Sequence, residues 1–261
     1  MGQPFDLSYV FSFLPKLLST LNTTLLIVVC SLLVGILAGF LVALPRMFKV
    51  PVLRQVSALY LSFFRGTPIL IQLFLFYYGL PEIMKLVHVD MTRVPVLLFV
   101  ILTYGLNTGA FMSEVIRSSV SAVDRGQVEA AYAVGMTGSQ AFRRIVLPQA
   151  LAVAVPVVSN LIIALLKDTS LAFTLGVMEM TGKAQTLGTL TQHFVESYLA
   201  LALIYLVISL ILEKLLLRAE RRLLRYEERN SSLKQSFVIR KSWSRRRILA
   251  EMKSSGGGTV Q

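Results

Sequence analysis

An all-α membrane protein with five transmembrane helices, N-terminus outside and C-terminus inside, is the fold class this sequence predicts. Three observations predict it. Of 261 residues, 55% are hydrophobic and 15% charged, whereas a soluble domain carries about 25% charge. The apolar residues fall into long uncharged runs. The basic residues are lopsided: the formal net charge is +12, and residues 213–261 alone hold 13 Lys and Arg against 5 Asp and Glu. This composition excludes a disordered chain and speaks against a water-soluble globule. A basic tail beside membrane spans is ordinary and does not point to nucleic acid. Cys30 is the single cysteine, so there is no intrachain disulfide and no cysteine metal cluster.

The spans follow in order. Crossing about 30 Å of hydrocarbon takes roughly 20 apolar residues at 1.5 Å each. Residues 17–45 are the first uncharged run; residues 55–81 are the second, broken only by Arg65. Residues 94–113 are the third, 145–166 the fourth and 197–212 the fifth, with the stem of Lys214 able to lengthen the last by snorkelling. Residues 169–178 are apolar but too short to cross, and read as a re-entrant piece or a cavity wall. The first run is longer than a signal-peptide core and follows Asp6, so it is expected to be a mature span. With the C-terminus inside, 20 Lys and Arg face the cytoplasm and 5 face outward, which fixes the expected orientation.

The loop between the third and fourth spans carries the most information. Residues 128–134 are Ala-rich and predict a helix with Glu129 in its first turn. Gly135 is a natural stop, Ser139 is a candidate cap for a second short helix, and Pro148 marks the entry to the fourth span. Small residues on one helix face suit close docking of another protein; a solvated connector reads equally well.

Glu129-Ala130-Ala131, three residues, Gly135, nine residues, then Ile145-x-Leu147-Pro148 matches the EAA loop of bacterial ABC importer permeases. Phe64-Arg65-Gly66-Thr67-Pro68 with Gln72, Gly126-Gln127-x-Glu129, Leu147-Pro148-Gln149-Ala150 and Lys167-Asp168-Thr169-Ser170-Leu171 resemble motifs of the polar amino-acid subgroup. The resemblance covers roughly residues 18–218. It implies the MetI-like permease fold, in three parts: an extracytoplasmic segment 1–16, a transmembrane domain 17–218 whose coupling loop spans about 117–147, and a basic cytoplasmic tail 219–261. It further implies a second permease subunit, identical or different, and a cytoplasmic ABC ATPase dimer that uses ATP-Mg. An extracytoplasmic solute-binding protein and a polar amino acid as cargo complete the set. The chain itself is expected to bind no cofactor, metal or nucleic acid. The wording of residues 174–177 and 182–186 is similar to permeases of the cystine-importing branch.

Within the resemblance, Glu129, Ala130, Ala131, Gly135, Ile145, Leu147 and Pro148 would couple to the ATPase. Arg65, Thr67, Gln72, Asn107, Lys167, Asp168, Thr169 and Ser170 are candidates to line the substrate path. Arg65 is expected inside a span, where a charge is costly and rarely idle. It would either hold a substrate carboxylate or brace the fold through backbone carbonyls or Glu114. Pro68 frees a carbonyl, giving either a kink or a broken helix. Asn107 lines the path or bonds a neighbouring helix, and Glu114 serves as gate or brace. His88 and His193 are expected at the surface. No G-x-x-x-x-G-K-[ST] run is present, so the chain lacks a P-loop. A membrane-embedded enzyme built on Arg65, Glu114 and Lys167-Asp168 is one rival. An ion-driven transporter is another, but no internal repeat supports it.

Overall fold

The computed structural model describes residues 4–91 and 93–222, and every described element is helical. Among the described residues, five helices are long and apolar enough to cross a membrane: α2 (Leu21–Met47), α4 (Ile69–Leu86), α5 (Val96–Ser121), α7 (Gly138–Leu175) and α9 (Phe194–Arg222). Between them lie α1 (Leu7–Leu18), α3 (Pro51–Gly66), α6 (Arg125–Ala133) and α8 (Met180–Thr191). The body closes at Leu217; Arg218 opens a second unit, described only to Arg222. The tail beyond residue 222 lies outside the described residues.

The span count agrees with the sequence, but several boundaries move. Leu17 belongs to α1, not to the first span, which starts at Leu21. The second run is two helices rather than one interrupted span. Thr67 (φ −117°, ψ 144°) and Pro68 (φ −62°, ψ 138°) are both extended, because a proline disfavours the helical region for the residue before it and offers no N–H. Arg65 therefore stands in the last turn of α3 instead of inside a span. The third helix runs past Glu114 and Arg117 to Ser121. Residues 169–175 form a 3₁₀ turn closing α7, ended by Gly176 at φ 85°. α8, capped by the Glu179 carboxylate accepting from Gly182 N at 2.8 Å, has no counterpart in the sequence reading.

α2 and α5 pack closest. A Cβ built on Gly105 would sit 2.5 Å from Val34, and one on Gly109 2.7 Å from Ala38. Gly35 and Gly39 meet Thr108 and Met112 as tightly. Small residues let two backbones approach where lipid supplies no hydrophobic drive, and Ser31 donates across the seam to Ile101 O at 3.2 Å. The main core joins Ile27 and Val28 of α2, Leu73 of α4, Val100 and Tyr104 of α5 and Leu166 of α7.

A second core seats α1 against α8 and α9 through Phe13, Leu17, Met180, Ala184 and Leu201. It explains one correction. His193 is buried, 7% exposed, with Nδ1 3.0 Å from Glu196 Oε1 and its ring stacked on Tyr9 at 3.9 Å. α1 folds back over it, and Asp6 N donates to the same Glu196 oxygen at 2.8 Å. His88 is exposed as expected. Ser8 hydrogen bonding holds the Asp6 carboxyl below the usual carboxylate range.

Candidate functional site: a braced helix break and an exposed loop

At the α3–α4 break, Pro68 lacks the N–H that Phe64 O would accept four residues on. Two side chains supply it. Gln72 Nε2 donates to Phe64 O at 3.0 Å and is shared with Thr67 O and Thr67 Oγ1, each at 2.9 Å. Asn107 Nδ2, from α5, reaches Phe64 O at 3.1 Å and Gln72 Oε1 at 3.0 Å. Thr67 Oγ1 donates to Phe63 O at 2.7 Å. Thr67, Gln72 and Asn107 thus form one network, with Gln72 fully buried. Asn107 bonds a neighbouring helix, one of the two roles its sequence left open.

Glu114 lies seven residues after Asn107, on nearly the same face of α5. Its Oε1 takes Arg46 Nη1 at 2.5 Å and Arg65 Nη1 at 3.8 Å; its Oε2 takes Arg117 Nη2 at 3.0 Å. One carboxylate therefore faces three guanidinium groups, a local excess of two positive charges. The members differ in freedom. Arg46 and Glu114 are 19% and 22% exposed, whereas Arg65 is 47% exposed and rests over the Phe111 ring at 5.8 Å. Arg65 is the loosest and most open of the three, and a guanidinium fork suits a carboxylate. Arg117 was readable as an i+3 partner of Glu114; Arg46 was not, since it comes from α2.

Lys167, Asp168, Thr169 and Ser170 sit where α7 turns into its 3₁₀ end. Lys167 and Asp168 are exposed, Thr169 is buried with its hydroxyl donating to Leu166 O at 2.7 Å, and Asp168 O accepts from Tyr104 OH at 2.5 Å. Among the described residues no hydrogen bond or ion pair joins this stretch to the Arg65 cluster.

The loop is built differently. α6 starts at Arg125, earlier than expected, because the Asp124 carboxylate accepts from Gly126 N at 2.8 Å and caps it. Glu129 consequently falls in the second turn. Gly135 stops the helix at φ 82°, with Gly135 N bonding Tyr132 O at 3.0 Å and Met136 N bonding Ala131 O at 3.0 Å, the paired bonds of a Schellman motif. The next helix is capped by Thr137 rather than Ser139: Thr137 and Gln140 form a reciprocal capping box. A π turn over Phe142–Val146 carries Ile145 and leads into Leu147 and Pro148. Gln149 Nε2 ties α7 back to α6 through Gln127 Oε1 at 2.6 Å, over a small core of Val123, Val146 and Ala150. Ala131 faces inward, while Glu129, Ala130, Tyr132, Val134, Phe142 and Leu147 are exposed.

Residues 31–225 match the family model described as binding-protein-dependent transport system inner membrane component. The L-cystine transport system permease protein TcyL of Bacillus subtilis (strain 168) is 47% identical over 205 residues, covering 78% of this chain and 86% of the relative. The probable amino-acid ABC transporter permease protein PatM of Vibrio harveyi is 45% identical over 201 residues, 77% of this chain and 88% of the relative. A crystal structure of an amino acid ABC transporter with histidines superposes with a TM-score of 0.75 at 31% identity, over 84% of this chain and 100% of that one.

Proposed function

Because this chain belongs to the family of binding-protein-dependent transport system inner membrane components, we propose that α6 couples it to an ATPase and that its cargo includes cystine. It is an ABC-importer permease subunit for polar amino acids, a multi-pass protein of the inner membrane. It is not catalytic; ATP hydrolysis belongs to a separate ATPase subunit.

The finer reading has several parts. Two permease subunits, identical or different, enclose the passage. The loop of about residues 117–147 faces the cytoplasm, as the basic bias requires, and a solute-binding protein delivers cargo on the opposite side. Residues 17–218 form the transmembrane domain, with 219–261 as its basic tail. Arg65 offers its open guanidinium to the cargo's carboxylate. Thr67, Gln72 and Asn107 hold the break that aims it. Lys167, Asp168, Thr169 and Ser170 contribute polar groups at the far end of α7.

The observation that carries the coupling reading is α6 itself. Its backbone is closed at both ends, its Gln127 is anchored to α7, and Ala130, Tyr132 and Val134 are left exposed. Such a surface suits a helix that inserts into a partner's cleft and passes movement on to α7. The cystine reading is supported by the likeness to a cystine permease of Bacillus subtilis. Uptake of radiolabelled cystine in a deletion strain, with unlabelled polar amino acids as competitors, tests the cargo. Ala130→Arg tests the coupling: it should leave membrane abundance unchanged, release the ATPase on purification and abolish uptake. Normal transport with the ATPase retained would make the loop a mere connector.

A further inference from the structure

Where α2 gives way to α3, the chain turns sharply. Phe48 N bonds Leu44 O at 2.9 Å, Val50 N bonds Pro45 O at 2.9 Å, and Lys49 takes a left-handed φ of 57°. In the crook lies an open groove of about 450 Å³, lined by Leu41, Leu44, Pro45, Phe48, Val50 and Leu53. That volume falls in the range of about 300–1,000 Å³ typical of small-molecule sites. Its lining is wholly apolar in residue type. Nothing in the described chain covers it: Phe48 is 75% exposed and Leu41 63%.

The flanking charges are all of one sign. Lys49 lies between two lining residues and Arg54 follows a third. Both are exposed, and neither has a side-chain hydrogen bond or ion pair among the described residues. Glu114, the acid that takes Arg46 from the same corner, is already shared by three arginines. The groove also lies at the end of α2, a helix long and apolar enough to cross a membrane, and the ends of spans are where acyl chains meet headgroups.

We propose that this groove is a binding site for one anionic glycerophospholipid, its acyl chain along Leu41, Leu44 and Leu53 and its phosphate between Lys49 and Arg54. Apolar lining and unpaired cations are the two halves of such a ligand. Basic corners between membrane helices recognise anionic headgroups. An apolar helix of a partner would match the lining but would leave Lys49 and Arg54 without an anion, which a headgroup phosphate supplies. The proposal stands apart from the cargo and coupling readings, since it requires only that the chain sit in a membrane.

The test is native mass spectrometry of the full-length chain, delipidated and then titrated with phosphatidylglycerol or with phosphatidylcholine. One phosphatidylglycerol per chain should be retained in preference to phosphatidylcholine. The pair Lys49→Gln and Arg54→Gln should weaken that retention roughly thirtyfold, the contribution of two basic residues near an anionic surface. Leu44→Trp, which fills the groove, should abolish it; should this variant fail to fold, the charge pair decides alone. Equal retention of both lipids, or unchanged retention in the charge variant, would overturn the proposal. So would a cross-link from a cysteine at Leu53 to a second copy or to the ATPase that persists with lipid in excess.

Discussion

The α3–α4 break and the α6 loop both interrupt the helical body at a residue whose backbone departs from the helix, Pro68 (ψ 138°) in one and Gly135 (φ 82°) in the other. They resolve the interruption in opposite ways. At Pro68 the freed carbonyl of Phe64 is satisfied by side chains from two other places, Gln72 and Asn107, so the break is sealed by tertiary structure. At Gly135 the backbone satisfies itself through Tyr132 O and Ala131 O, and Glu129, Ala130 and Tyr132 of α6 are left facing outward. The difference teaches where to look for partners. A region whose polar side chains are consumed internally is scaffold, whereas one closed by its own backbone keeps its side chains available.

Substitutions should separate the two, and the largest effect belongs to the scaffold. Glu114→Ala would strip the shared carboxylate from Arg46, Arg65 and Arg117. Breaking a buried pair costs about 3–5 kcal/mol, and partial exposure puts this one at the low end. A fall in unfolding temperature of the detergent-solubilised chain should accompany loss of uptake; an unchanged temperature would show that the three arginines are solvated independently. Gln72→Leu comes next. Leaving the Phe64 and Thr67 carbonyls short of a donor should cost about 1–3 kcal/mol, again read as lower thermal stability together with reduced transport.

In the loop the two readouts should part. Gly135→Val meets nothing within 4 Å where its Cβ would go, so the cost is the left-handed backbone alone, on the order of 1 kcal/mol. Stability should barely change, yet the re-aimed segment after residue 135 should uncouple the ATPase and end uptake. A large stability loss with normal coupling would reverse the contrast. Arg65→Ala sits between the regions. Its 3.8 Å contact with Glu114 is half exposed and worth about 0–1 kcal/mol, so thermal stability should hold. Uptake should drop, with Arg65→Lys restoring part of it. Wild-type transport by Arg65→Ala would assign this arginine to bracing only.

What the sequence reveals and what it hides follow from range. Runs of apolar residues are local, so five spans are legible, and Gly135 announces its helix end because only local conformation is at stake. The EAA spacing carries the loop. The Arg46–Glu114 pair is hidden because it joins helices 68 positions apart in the chain, and no periodicity links them. The burial of His193 is hidden because it depends on α1 folding back to place Tyr9 over the ring. The choice between a kink and a break at Pro68 is not legible in hydropathy, which counts composition and is blind to the extended φ and ψ of Thr67 and Pro68. Asp124 and Thr137 cap their helices where Ser139 is an equally ordinary cap residue by type, because cap propensity alone does not choose among neighbouring candidates.

The seam between α2 and α5 has a consequence for biosynthesis. Ser31 and Ile101, which meet across it, are 70 residues apart in sequence. At about 5–20 residues per second, several seconds separate the insertion of α2 from the arrival of its main partner. During that interval Gly35 and Gly39 stand open to lipid, and nothing but hydrocarbon holds the helix upright. α2 is suited to the wait, since it carries no charged residue before Arg46 and can persist as a lone insert. The late arrival of α5 then closes the seam, which makes residues 48–95, synthesised in between, the segment that must find its place around an axis not yet built.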